Sequence, residues 1–239
     1  MAAPERNYHR GMIVAAHADD AEFSCGGTVA KWCREGTEVV YVICTDGSKG
    51  SNDPDMTSER LAVIREQEQL NAAKVLGVSE VVFLRNPDAY LQPTLALRQD
   101  ITREIRRFKP EVIICPSPVR TLQLREYIGH PDHIAVGEAT LSAIFPSARD
   151  RLTFPELLEN GLEPHKVRDL HIAGEIAPNT WVDVSADMER LIMALQQHVS
   201  QHDGFVVGWE ESVYRSRREI AGSQAGMQYA EAYRKFVLD

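Results

Sequence analysis

The sequence predicts an α/β fold: a Rossmann-like, mostly parallel sheet with helices on both faces, in a single domain spanning residues 1–239. Three observations lead there. Short apolar runs alternate with longer amphipathic ones along the chain. Residues 39–45 (VVYVICT) are β-branched and apolar throughout, as a strand covered on both faces must be. At 239 residues the chain is long enough for a full core, and the right-handed crossovers that link successive parallel strands then give a doubly wound sheet.

Taken in order, residues 12–16 (MIVAA) read as a short buried strand and 28–35, closed by Gly36, as a helix. After the 39–45 strand, residues 58–76 form a long helix. Leu61, Ile64, Leu70, Ala73 and Leu76 fall near helical spacing there, and Gly77 is its stop. Residues 81–84 are a third strand, 95–108 a third helix, and Pro110 precedes a fourth strand at 112–115. A helix over 134–144, strands at 170–175 and 181–184, and a helix over 186–201 follow. The stretch 211–237 reads as helical, making a C-terminal helical tail from about residue 205. The loops 46–57 and 147–168 are long and polar, a length usually associated with a site or with mobility.

Composition narrows the function. Hydrophobic residues at 44% and charged residues at 26% are ordinary for a soluble globular chain and wrong for a disordered one. Lys and Arg number 26 against 35 Asp and Glu, a net charge of −9, which argues against a nucleic-acid or anionic-membrane partner. No apolar run approaches the roughly 18 residues of a membrane span, and the start MAAPERNYHRG lacks a signal-peptide core. Cys25, Cys33, Cys44 and Cys115 are scattered with no CxxC, the pattern of reduced thiols in a cytoplasmic protein. His, Asp and Glu remain as metal-ligand candidates.

Parallel sheets bind ligands outside the carboxyl ends of their strands. Just after the first strand stands His17-Ala18-Asp19-Asp20-Ala21-Glu22, and beyond the fourth, entering a helix, His130-Pro131-Asp132-His133. In each cluster the outer pair is spaced i, i+3, so two side chains converge from one turn. His17, Asp20 and His133 make a set of two imidazoles and one carboxylate, a ligand count typical of catalytic metal sites. Zinc suits it, and so does iron(II). Asp19 is placed to take a proton from the water such a metal activates, and His130 to donate to an oxyanion or a leaving amine. Asp132 is placed to fix a histidine tautomer, and Pro131 suits a first helical position that aims the helix N-terminus at the site. A lone histidine after a strand is usually a satisfied core or loop residue, and Asp-Asp before a helix usually a cap. Two such clusters at strand ends point instead to metal-assisted hydrolysis, of an amide or ester ahead of a phosphoester.

At these residues the chain resembles the LmbE/PIG-L family of zinc-dependent N-acetylglucosaminide deacetylases. The family's (A/P)HPDDxE motif stands here as Ala16-His17-Ala18-Asp19-Asp20-Ala21-Glu22, followed by Gly26-Gly27, and its HxDH motif as His130-Pro131-Asp132-His133. Thr45-Asp46-Gly47-Ser48-Lys49-Gly50, Arg65-Glu66-Gln67-Glu68 and the tail Tyr229-Ala230-Glu231-Ala232-Tyr233 resemble further signatures. The resemblance implies zinc on His17, Asp20 and His133, Asp19 as base, His130 as oxyanion or acid partner, and Arg65 on the polar aglycone of an amino-sugar substrate. It also implies a homo-oligomer, trimer or hexamer. Ala18 replaces the family's proline, which touches rigidity rather than chemistry. The expected activity is removal of an N-acetyl group from an N-acetylglucosamine-type sugar or glycoside. The alternatives are hydrolysis of a thiol-conjugate or antibiotic-type amide on the same site, and a non-catalytic sugar- or metabolite-binding protein.

Other features read more plainly. Gly26-Gly27 lacks the dinucleotide spacing and suits helix packing. Asp46, at the end of the second strand, either binds a sugar hydroxyl or caps a loop, and Asp88, after the third, is a further candidate for substrate contact. His198 and His202 read as a solvated helix end, and Arg103, Arg106, Arg107 and Lys109 as the basic last turn of a helix. Trp209 suits either a sugar platform or a packing contact.

Overall fold

The computed structural model describes residues 7–120, 122, 128–174, 177–201 and 209–238, with side chains from 212 onward in the last stretch. The chain runs β1 (Arg10–Ala15), α1 (Asp20–Arg34), β2 (Glu38–Thr45), α2 (Ser58–Leu76), β3 (Glu80–Asn86), α3 (Leu95–Phe108), β4 (Val112–Pro116) and α4 (Pro131–Ser142). It continues through α5 (Pro155–Glu159), β5 (Asp169–Ala173), β6 (Thr180–Asp183), α6 (Met188–Leu195), α7 (Trp209–Ala225) and β7 (Ala230–Val237). The strands form one sheet in the order β3-β2-β1-β4-β5-β7-β6. The first five are parallel, and β7 runs antiparallel between β5 and β6. The mostly parallel α/β expectation holds.

Alternate residues of each strand feed two cores, which is why the strands read as continuous apolar runs. Ile13, Tyr41, Ile43 and Ile114 face α1, α2 and α6 through Val29, Trp32, Leu76 and Leu191. Met12, Val40, Val42 and Ile113 face α3 and α4 through Leu97, Ile101, Ile105 and Val136. The helix ends carry local signals. Thr57 Oγ1 accepts the Arg60 N–H at 3.2 Å to start α2, and Gly77 closes it at φ 90. The strand order reverses between β1 and β4, so the crevice of this sheet opens between their carboxyl ends. His17 follows β1 and His130 precedes α4 just beyond β4.

The structure corrects several sequence expectations. The first helix begins at Asp20 rather than residue 28, with a break at Cys25 (φ −151, ψ 16). The helix expected to 201 ends at Leu195, and a short 3-10 turn, Val199–Gln201, follows. The expected C-terminal helical tail is α7 followed by a strand. Gly226, at φ 73, ends the helix, and the strand that follows pairs with β5 over 233–237, Ala173 opposite Tyr233, and with β6 over 230–233. Ladder hydrogen bonds and the burial of Glu231 and Tyr233 against α1 outweigh the helical preference of EAYRK. Arg106 is not part of an exposed basic turn. It is fully buried, and its guanidinium donates to the carbonyls of Ser147, Asp150 and Thr153 at 2.8, 2.8 and 3.0 Å, organising the loop after α4. Gly27 behaves as expected, since a Cβ there would lie 2.8 Å from the Val184 side chain.

On β5, His171 is buried among Tyr8, Trp32 and Tyr233, with Asp169 and Lys235 the charges nearby, and neither ring nitrogen has a hydrogen-bond partner among the described residues. Burial, helped by Lys235 and opposed by Asp169, pushes its pKa from 6.5 down to about 4. The unfolded chain therefore binds a proton the folded chain refuses. Stability falls as pH drops from about 6.5 and levels off near 4, a loss of up to about 3 kcal/mol. His171→Phe should remove that part of the pH dependence in urea titrations at pH 7 and pH 4.5. An unchanged difference between the two pH values would show that other groups cause it.

Candidate metal centre

The site begins with a strained turn. Between β1 and α1, Asp19 holds φ 86, ψ −31, a conformation that costs a non-glycine residue about 1–3 kcal/mol. The His17 N–H donates to Asp20 Oδ2 at 2.8 Å, closing the turn. Beyond it, the Cys25 break separates a first helical turn bearing Asp20 from the body of α1. The freed N–H groups of Gly27 and Thr28 are taken by the buried Glu231 carboxylate at 3.1 and 2.7 Å. Glu231 also accepts from Arg218 at 3.0 Å. The C-terminal strand thus caps a helix inside α1.

Three imidazoles meet at this turn. The ring centroids of His17 and His130 lie 4.7 Å apart, those of His17 and His133 5.3 Å, and those of His130 and His133 5.4 Å. Asp20 lies between two of them: its Oδ2 is 3.4 Å from His17 Nδ1 and its Oδ1 3.0 Å from His133 Nε2. The ring nitrogens of His17, His130 and His133 lie close enough together to hold one metal ion, and the two Asp20 oxygens flank them. His17 Nε2 is already engaged, 3.1 Å from Asp88 Oδ1 and 3.2 Å from Asp132 Oδ2, which places its proton there and leaves Nδ1 toward Asp20. Burial works to lower the His17 pKa, but the Asp132, Asp20 and Asp88 carboxylates outweigh it and raise the pKa to about 12. Burial likewise works to raise Asp20, yet His133 and His17 hold its carboxyl well below the usual range. A place that keeps an imidazolium so firmly is built for positive charge.

The expected site residues separate clearly. Asp132 is fully buried with its Oδ2 3.2 Å from His17 Nε2, while its oxygens also accept the N–H groups of Ala89 at 2.8 Å and Leu91 at 3.2 Å. It therefore ties the loop after β3 to the histidine. Asp88, reached through that loop, shares His17 and accepts the Lys49 N–H at 3.0 Å. His130 caps α4: its Nδ1 accepts the Asp132 N–H at 3.2 Å, so the neutral ring carries its proton on Nε2. Burial, with His17 and His133 adding repulsion, lowers its pKa and keeps it neutral. Burial and the Asp20 and Glu22 charges push the Asp19 carboxyl well above its usual value. Arg65 is buried and donates to the carbonyls of Gly47 and Lys49, both at 2.8 Å. Asp46 accepts the N–H groups of Ser48 and Asp88 at 3.0 and 3.1 Å. Both shape the loop after β2.

A cavity of about 310 Å³ opens on the centre, within the size range of small-molecule sites. Asp20, His130 and His133 form its polar wall, and Phe23 and Ile134 part of its apolar one. His17 and Asp19 do not line it. Sequence reasoning missed the layer beneath. Glu22, Gln69 and His198 are each fully buried and joined by hydrogen bonds. His198 is thus not a solvated helix end, and the expected partner His202 and the Trp209 side chain lie outside the described residues. The available signal was Glu22 itself, an acid four residues before the buried glycine pair.

Residues 12–144, more than half of the chain, match the family described as PIG-L: GlcNAc-PI de-N-acetylase. The chain belongs to the PIG-L family. It is 31% identical over 233 residues to a diacetylchitobiose deacetylase of Thermococcus kodakarensis, covering 97% of this chain and 84% of the relative. It is 28% identical to a probable N-acetyl-alpha-D-glucosaminyl L-malate deacetylase 2 of Bacillus anthracis, covering 82% and 83%. Among solved structures, the N,N'-diacetylchitobiose deacetylase from Pyrococcus horikoshii superposes with a TM-score of 0.88 at 28% identity, covering 97% of this chain and 85% of that one. Both PIG-L motifs thus sit at the sheet's switch point, around one histidine that three carboxylates address.

If Asp132 sets the His17 tautomer, Asp132→Asn should weaken zinc binding about 10- to 100-fold in a chelator-competition titration. Wild-type affinity in that variant would remove Asp132 from the site.

Proposed function

We propose that this PIG-L chain is a metal-dependent hydrolase that removes the N-acetyl group of an N-acetylglucosamine-type amino sugar or glycoside, releasing acetate and a free amine. The observation that carries the reading is the meeting of His17, His130 and His133 around Asp20, with Asp20, His130 and His133 forming the polar wall of a cavity. A divalent ion, zinc ahead of iron(II), supplies carbonyl polarisation and acidification of water when bound there. His17, Asp20 and His133 hold it. Asp19, next to Asp20 in the turn, is the base, its carboxyl raised by burial and by the Asp20 and Glu22 charges. His130 presents Nε2–H to the oxygen that gains charge as the amide carbonyl is attacked, and the proton that Asp19 takes from the water is the one passed on to the departing amine.

We further read the protein as a cytoplasmic homo-oligomer. Its four cysteines are free thiols, and no described helix is long and apolar enough to cross a membrane. The edge strand β3 leaves Val81, Val82, Phe83 and Leu84 only half-buried, which supports a contact with another copy.

Purified protein loaded with zinc or iron(II) should release free amine from N-acetylglucosamine or N,N'-diacetylchitobiose. Asp19→Ala should keep its zinc and lose about 10²- to 10⁴-fold in kcat, and His133→Ala should lose the metal itself. Amine release by Asp19→Ala at the wild-type rate would remove Asp19 as the base. A metal-loaded protein that binds these sugars without releasing amine would instead be a binding protein.

A further inference from the structure

We propose that Gln69 is a positioning residue for Asp19, and that the buried pair Glu22 and His198 fixes the orientation in which it acts. The inference rests on the reading of Asp19 as general base. Asp19 is the residue of the turn whose backbone is strained, at φ 86, and its N–H is directed inward to Gln69 Oε1 at 3.0 Å. A glutamine amide can turn over and exchange its oxygen for its nitrogen. Here it is held from the other end, because Gln69 Nε2 faces both oxygens of Glu22, at 3.1 and 3.2 Å, and donates to them. Glu22 is anchored in turn by His198 Nε2 at 3.2 Å. Glu22, Gln69 and His198 are all fully buried, so no solvent competes for these bonds.

The segment that carries His198 grips the same turn at a second point. Gln201 Nε2 donates to the Ala18 carbonyl at 2.9 Å, and Ser200 is tied to α2 through Glu68 at 2.7 Å. The single peptide unit that joins Ala18 to Asp19 is therefore held at both its polar groups, its N–H from α2 and its carbonyl from residues 198–201. Asp20 is fixed separately, by the His17 N–H and by His133. Loosening the Gln69 contact lets the Asp19 peptide relax toward ordinary φ and swings its carboxylate, while the metal ligands keep their own restraints. A change of that kind appears in kcat before it appears in metal affinity.

The test uses the full chain. Gln69→Met keeps the length of the side chain and removes both bonds. Gln69→Glu sets two carboxylates face to face. The double variant Glu22→Gln with Gln69→Glu restores a donor opposite an acceptor and returns an oxygen to the Asp19 N–H. Each is assayed on N,N'-diacetylchitobiose for kcat and KM, with zinc stoichiometry by mass spectrometry, melting temperature, and amide hydrogen exchange of residues 17–22 in metal-free protein. Gln69→Met should lower kcat about 10- to 100-fold at unchanged KM and zinc stoichiometry, and speed exchange in the turn. The double variant should recover kcat and protection relative to Gln69→Glu. Wild-type kcat and exchange in Gln69→Met, a loss that follows zinc content, or a double variant no better than Gln69→Glu would each overturn the proposal. Asp19→Ala, run alongside, separates the two readings: wild-type turnover there removes the base assignment, whereas an inactive Asp19→Ala beside a fully active Gln69→Met removes only the role of Gln69.

Discussion

His17 is a buried imidazole addressed by Asp20 on one nitrogen and by Asp88 and Asp132 on the other, and much of the surrounding chain is arranged to hold those carboxylates there. Like charges brought this close repel unless positive charge or donors stand between them. Each acid has its own donors: Ala89 and Leu91 on Asp132, Lys49 on Asp88, the His17 N–H on Asp20. Those donors come from the loops after β2 and β3 and from the turn after β1. Three loops at the carboxyl edge of the sheet are thereby joined through one ring, which is why the switch point is a rigid centre and not merely a crevice.

How much of this was legible in the sequence follows from the range of the interactions. Strands and helices of the parallel half were readable because each is specified by its own periodicity, as in 95–108, which matches α3 at both ends. The meeting of the two clusters was readable because His17 with Asp20 and His130 with His133 each lie within one turn, so spacing alone implies convergence. What escaped was set by contacts between distant segments. Residues 230–237 form a strand because β5 and β6 pair with it, a fact absent from the segment itself. Arg106 looked like the end of a basic helix and is buried because carbonyls some forty residues on turn toward it. His198 reaches Glu22 across 176 positions, a pairing that no local pattern encodes.

The kink in α1 likewise answers to a distant segment. A continuous helix from Asp20 would satisfy the N–H groups of Gly27 and Thr28 internally, and the buried Glu231 would lose two of its donors. With the break at Cys25, those two N–H groups become donors, and Glu231 meets them together with Arg218 and the Tyr233 hydroxyl. The first turn, bearing Asp20, is freed from the axis of the rest of α1 and can follow the geometry set by His17 and His133. The absence of a side chain at Gly27 then lets the body of the helix settle against Val184, closing the space the kink would otherwise open.

Buried ionic groups of this kind add little to stability. Desolvation offsets most of what a buried pair gains, and removing one partner leaves a charge that nothing compensates. Glu22, Glu231 and Asp132 are all buried, and each ends on a backbone or side-chain group of a segment that shapes the metal turn or its loops. Apolar residues of similar volume would fill the same space and hold the fold, as Val29 and Leu191 do nearby. They would not fix the direction of an N–H or the tautomer of a ring. The polar layer under the sheet's carboxyl edge is therefore best understood as orienting a few atoms of His17, Asp19 and Asp20, with the two apolar cores carrying the stability that makes such an arrangement affordable.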